Sequence, residues 1–187
     1  MRIFLLATGC LFFCTTIASA QNFRGLDKSP LDIAYYPDNF AHDRKSGDEA
    51  VLKVIYSRPQ LKGREMFGEK VPYGKVWRTG ANEATEIKVY QDITIGEKTL
   101  PAGQYAVFTI PNEDEWTVIF NSALDYWGAY SYDESQDVLR ATASVSSLDE
   151  PAEAFTIQFD EAGGGNVVMR MAWDRTVAEL PIMMNND

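Results

Sequence analysis

The chain has 187 residues, 45% of them apolar, with a formal net charge of −10 and a single histidine. That is enough apolar material for one buried core. The acidic balance repels phosphate backbones and argues against nucleic acid as a partner. One histidine alone falls short of a zinc site, which takes three or four His or Cys ligands.

The first twenty residues, MRIFLLATGCLFFCTTIASA, read as a signal peptide. Arg2 gives the positive start, Ile3 to Ile17 the apolar stretch, and Ala18-Ser19-Ala20 the small-x-small cleavage pattern. The apolar run is shorter than the roughly 20 residues a span needs, and no later segment is apolar enough to cross a bilayer. Lipidation at Cys10 is the alternative, but the run before it, Ile3 to Ala7, is too short for that signal. The expectation is a periplasmic or secreted protein cleaved after Ala20, with no membrane span left.

Cleavage removes Cys10 and Cys14, so the mature chain has no disulfide, no thiol nucleophile and no thiolate metal site. It also removes Arg2, the one charged residue of the leader, which takes the net charge from −10 to −11.

Residues 21–48 read as a lead-in segment packed on the domain. Pro30 and Pro37 oppose a long helix there, while Tyr35, Tyr36 and Phe40 oppose a purely solvated tail. A polar turn follows at Lys45 to Asp48.

From residue 49 to 187 the period is mostly two. Val51 to Ser57 is apolar on both faces, as in a central strand. Thr85, Ile87 and Val89 alternate with Glu86 and Lys88. Ile93 and Ile95 lead through a Gly96-Glu97 turn to Lys98–Leu100. Gln104–Ile110 and Trp116–Phe120 are further strands on either side of a polar turn. Phe155, Ile157 and Phe159 alternate with polar residues. The triple glycine at 163–165 makes a connection, and Val167, Met169, Met171 and Trp173 alternate again, before Thr176–Ile182. Short helical turns fit Arg64–Glu69 and Ser122–Tyr126. The whole predicts an all-β, single-domain antiparallel β-sandwich, jelly-roll-like, with short helical turns.

No phosphate-binding glycine loop is present, and no cofactor is expected. His42 lies beside Asp43 in the lead-in and reads as a surface or packing residue. One segment concentrates unusual chemistry: Arg58-Pro59, Lys62-Gly63-Arg64, then PYGKVWRTGANEAT at 72–85. Arginine offers a planar donor fork for carboxylates, phosphates or sugar hydroxyls. Tyrosine and tryptophan offer flat platforms with a polar handle. Arg58, Arg64 and Arg78 would hold anionic or hydroxyl groups, Tyr73 and Trp77 would stack, and Asn82 and Glu83 would orient the ligand. The same residues also suit a structural role, with Arg78 paired to Glu83 and Trp77 in the core. A second cluster, Tyr126 to Tyr132, reads as an aromatic loop folded over the sandwich edge or as a stacking surface.

These residues carry a resemblance. SP at 29–30, YSRPQLKGREMFG at 56–68, VPYGKVWRTGANEAT at 71–85, LPAGQYAVFTIP at 100–111 and WGAYSYDESQDVLR at 127–140 resemble the secreted bacterial family known as domain of unknown function 2911, common in the Bacteroidetes. The resemblance implies an exported β-rich domain and no particular activity. Three readings stay open: a binding module for a small polar ligand, a glycan or an envelope partner; a carboxylate-based, glycosidase-like hydrolase using Glu83 with a second acid such as Asp137; and a structural envelope module with no small-molecule site.

Overall fold

The computed structural model describes residues 23–184. The leader expected at residues 1–20 and its expected cleavage site lie outside the described residues.

The elements run β1 (Leu31–Tyr36), a single helical turn α1 (Phe40–Asp43), β2 (Leu52–Ser57), β3 (Thr85–Val89), β4 (Ile93–Ile95), β5 (Lys98–Leu100), β6 (Gly103–Pro111), β7 (Glu115–Asn121), β8 (Asp137–Gly163) and β9 (Asn166–Met184). All pairings between these strands are antiparallel. The fold is all-β, as its period-two sequence predicts. The strands join one nine-stranded sheet in the order β1-β2-β3-β6-β7-β8-β9-β4-β5.

That sheet curls over on itself. The chain leaving β2 meets the second half of β8: Phe155 N–H donates to the Pro59 carbonyl at 2.9 Å, and Leu61 N–H to the Glu153 carbonyl at 2.6 Å. The bend is built into the β8–β9 pair. Ser147 faces Thr176 and Thr156 faces Ala172, so nine steps along β8 match four along β9. An excess of residues on one strand bends it and strengthens its twist. Arg175 Nη1 holds the extra loop by donating to the Leu148 and Asp149 carbonyls.

The curled sheet encloses the main core, which includes Leu52, Val54, Ile87, Val107, Val118, Phe155, Met171 and Leu180. On β6 and β7 both faces are buried. Val107 and Val118 face this core, while Ala106, Phe108 and Ile119 face a smaller cluster on the other side. The segment after β7 covers that second face, with Tyr126 and Tyr132 packed edge-on against Phe108 at 5.6 and 5.0 Å.

Three local outcomes differ from the sequence reading. The lead-in supplies a full sheet strand, β1, paired along its length with β2. The helical turns expected at 64–69 and 122–126 do not form. At the first, Lys70 and Val71 N–H both bond the Met66 carbonyl in an isolated turn, and regular short helix occurs instead at α1 and in a 3-10 turn at Glu134–Gln136. Residues 137–147, whose inner face sets two alanines between Leu139 and Val145, open the long strand β8.

Candidate anion-binding site

The connection from β2 to β3, residues 58–84, has no regular structure of its own. It far exceeds the ~12–15 residues beyond which structureless loops are uncommon, and long ordered loops in compact domains are usually functional. Its apolar residues explain why it is ordered. Leu61, Met66, Phe67, Val71 and Trp77 are all buried. Phe67 packs within 6.2 Å of Trp77, Trp116 and Trp173. Trp77 exchanges two backbone hydrogen bonds with Thr109 on β6, at 2.7 and 2.9 Å.

After Trp77 the backbone turns sharply. Thr79 has φ 57° and Asn82 φ 59°. Positive φ is uncommon outside glycine and a true outlier for a β-branched residue. The surroundings hold Thr79 there: Thr85 Oγ1 donates to its carbonyl at 2.6 Å, and its own hydroxyl donates to Thr109 Oγ1 at 3.1 Å. Gly80 is needed for space, since a Cβ there would lie 3.0 Å from the Ser57 carbonyl oxygen. Strain of this kind costs ~1–3 kcal/mol per residue and concentrates at functional sites.

The turn walls a cavity of about 370 Å³. Arg64, Lys70, Arg78, Asn82 and Ser29 supply its polar lining, and the indoles of Trp77 and Trp173 part of its apolar wall. Three cations therefore converge with no carboxylate in the lining. Arg64 is fixed by main-chain carbonyls, Nε to Leu61 and an Nη to Gln60, which orient the guanidinium without neutralising it. Among the described residues, none of Arg64, Lys70 and Arg78 forms an ion pair. Arg78 Nε is buried and has no acceptor among those residues, and neither has Nε1 of Trp173. An unmatched buried donor costs ~1–3 kcal/mol, more on a charged group, and such a donor needs a partner, an ordered water or a bound ion.

A second cavity of about 320 Å³ adjoins the first, sharing Ser29 and Asn82. Its lining includes Arg24, Asp27, Glu83 and Trp127. The boundary is a hydrogen bond from Asn82 Nδ2 to Asp27 Oδ1 at 3.0 Å. This bond and the Ser29 N–H hold the Asp27 carboxyl below its usual range, the Ser29 contribution being the larger. A larger cavity of about 420 Å³ lies by the β4–β5 turn. Its arginine, Arg140, is already paired with Asp137 and Glu134.

The sequence-based candidates thus separate. Arg64, Trp77, Arg78 and Asn82 meet in one cavity. Glu83 lines the adjoining one, and no ion pair joins it to Arg78. Arg58 is engaged elsewhere, with Asp32, the Phe155 carbonyl and the Thr156 hydroxyl, where it ties β1 to β8. Tyr73 is part-exposed and lies over Gly68. Burial, then Glu113 and Glu65, push its phenol pKa up. Asp137 accepts from Asn121, Tyr132 and Arg140. His42 is exposed and bonded to Asp43.

Sequence reasoning missed Lys70, Ser29 and Trp173 as cavity residues. Ser29 belongs to the SP motif and Lys70 sits between two others, so closeness to those motifs was the available signal. Trp173 gave none, since its strand alternation accounts for it fully.

Among the described residues no helix is long and apolar enough to cross a membrane, and no group of three or more His, Cys, Asp or Glu is arranged to hold a metal ion. The fold and site together define an all-β antiparallel domain with a cationic cavity under its longest loop. The family model described as "Protein of unknown function (DUF2911)" matches residues 38–182, and the chain belongs to that family. No curated protein and no solved structure matches it.

Proposed function

We propose that this domain is a binding module and that the cavity beside Arg78 takes a small anionic group, a carboxylate or a phosphate. One observation carries the reading: Arg78 presents a buried, unmatched Nε in a cavity whose other charged walls, Arg64 and Lys70, are also cationic. In a chain of net charge −10, such a cluster is self-repelling when empty and relieved by an anion. Arginine's fork suits bidentate oxygen pairs, and Asn82 and Ser29 offer neutral hydrogen bonds at the same wall. A carboxylate-based hydrolase has less support, because Asp137 is held by three partners of its own. With residues 1–20 read as a leader, we assign the site to the periplasm or the exterior. Mass spectrometry of protein recovered after export should give Gln21 as the first residue.

The test is calorimetry and thermal shift of the mature chain with inorganic phosphate, acetate and citrate. Ligand at a hundred times its Kd stabilises by about 2.7 kcal/mol, a readily measured shift. Arg78→Gln should abolish the shift while the protein remains folded. No shift with any anion, or an equal shift in the variant, would overturn the reading.

A further inference from the structure

We infer that the ligand is an acidic saccharide, its acid group in the cationic cavity and a sugar ring on Trp127. This rests on the anion reading and gives it a substrate class. Three observations support it.

The first is continuity. The two cavities, about 370 and 320 Å³, share Ser29 and Asn82. Each alone lies near the lower end of the ~300–1,000 Å³ typical of ligand clefts, and the pair exceeds what a single phosphate or carboxylate fills.

The second is Trp127. The residue is 62% exposed, yet its backbone is fixed. Trp127 bridges Glu83, and the next residue, Gly128, donates its N–H to the Asn82 carbonyl at 2.9 Å. Gly128 holds φ 67°, and the Tyr130 ring lies 2.8 Å from where a Cβ would be. A large exposed indole carried on a fixed stretch of backbone beside a cavity offers a stacking platform for an amphipathic ring.

The third is the change of charge between the cavities. The first is lined by three cations. The second carries two carboxylates, Asp27 and Glu83, against one arginine, Arg24. Glu83 has no side-chain partner among the described residues, and ionised carboxylates only accept hydrogen bonds. An anion is therefore favoured at one end and repelled at the other, where hydroxyl donors are wanted instead. A ligand with an acid at one end and hydroxyls at the other, on a ring with an apolar face, satisfies both. A simple inorganic anion uses only half of the surface, and a neutral sugar leaves the charges of Arg64, Lys70 and Arg78 uncompensated.

The experiment is calorimetry on the mature chain with inorganic phosphate, a panel of hexuronic-acid dimers and the neutral methyl esters of the same dimers. At least one dimer should bind tenfold or more tighter than both phosphate and its own ester. Trp127→Ala should remove about tenfold from dimer binding and leave phosphate binding unchanged, and Trp127→Phe should restore most of it. Since Trp127 is exposed, an unchanged Tm is expected and serves as the folding control. The inference is overturned if no dimer exceeds phosphate, or if Trp127→Ala leaves dimer affinity intact. In either case, phosphate binding that is lost in Arg78→Gln would preserve the anion reading alone. Binding of both probes unchanged in Arg78→Gln would remove both.

Discussion

The indole of Trp77 lies nearly parallel to that of Trp173, with planes 11° apart and centroids 6.1 Å apart. One belongs to the long loop and the other to β9, and both line the cationic cavity. The stack thus couples the loop's position to the sheet beneath it. Phe155 and Trp116 meet Trp77 edge-on at 5.1 and 6.1 Å, so the cavity rests on a continuous aromatic layer.

Trp77→Ala should therefore be among the most damaging single changes, costing about 3–5 kcal/mol by the usual scale for large aromatic truncations. Trp77→Phe should recover much of that by refilling the space. Urea unfolding followed by circular dichroism measures both. A Trp77→Ala loss under about 1 kcal/mol would show that the loop does not depend on this anchor.

Arg58→Ala tests whether the arginines play different roles. Arg58 is only partly buried, and its ion pair with Asp32 is solvent-screened. The expected loss of stability is about 1 kcal/mol, with phosphate affinity unchanged. A large fall in affinity with little change in Tm would move Arg58 into the site.

At Gly80 a side chain has nowhere to go, because the obstructing atom is the main-chain oxygen of Ser57 on β2. Gly80→Ala should destabilise by about 1–3 kcal/mol and weaken anion binding through displacement of Arg78 and Asn82. Wild-type stability and affinity in the variant would refute the tight approach.

The Tyr132 phenol is pushed up to about 12, first by burial and next by its hydrogen bond to Asp137. The fold favours the neutral form, so this contribution to stability is complete below about pH 10, the unfolded value, and is lost as pH rises through about 12. Ultraviolet titration should show one tyrosine ionising near pH 12 that disappears in Tyr132→Phe. The variant should also show a shallower loss of stability between pH 10 and 12. An identical titration curve would contradict the Asp137 contact.

The strands were legible where alternation involved large side chains. Ile87 and Val89, or Met169 and Met171, declare a buried face by size and spacing. Leu139, Ala141, Ala143 and Val145 alternate inward on β8 as well, but alanine between serine and threonine is a weak β signal. A single curled sheet was not legible, since closure depends on bonds between Pro59 and Phe155 that no local pattern encodes. The site was half legible. Its arginines and asparagine stood out as a cluster of unusual types in an irregular stretch, whereas Trp173 enters the cavity only through long-range packing. Which arginine serves structure and which faces the cavity was decided by partners a hundred residues away.

That same distance shapes how the chain must acquire its structure. Arg58 and the Phe155 carbonyl are separated by 97 positions, and every contact that shuts the sheet is of this long-range kind. Chains dominated by such pairings gain little reward until nearly all their length is in place, and they fold slowly. A nascent copy therefore leaves the segment after β2 unpaired and the aromatic layer bare, the surfaces on which it would aggregate. Completion of the C-terminal third is thus the step that commits this molecule to its native state.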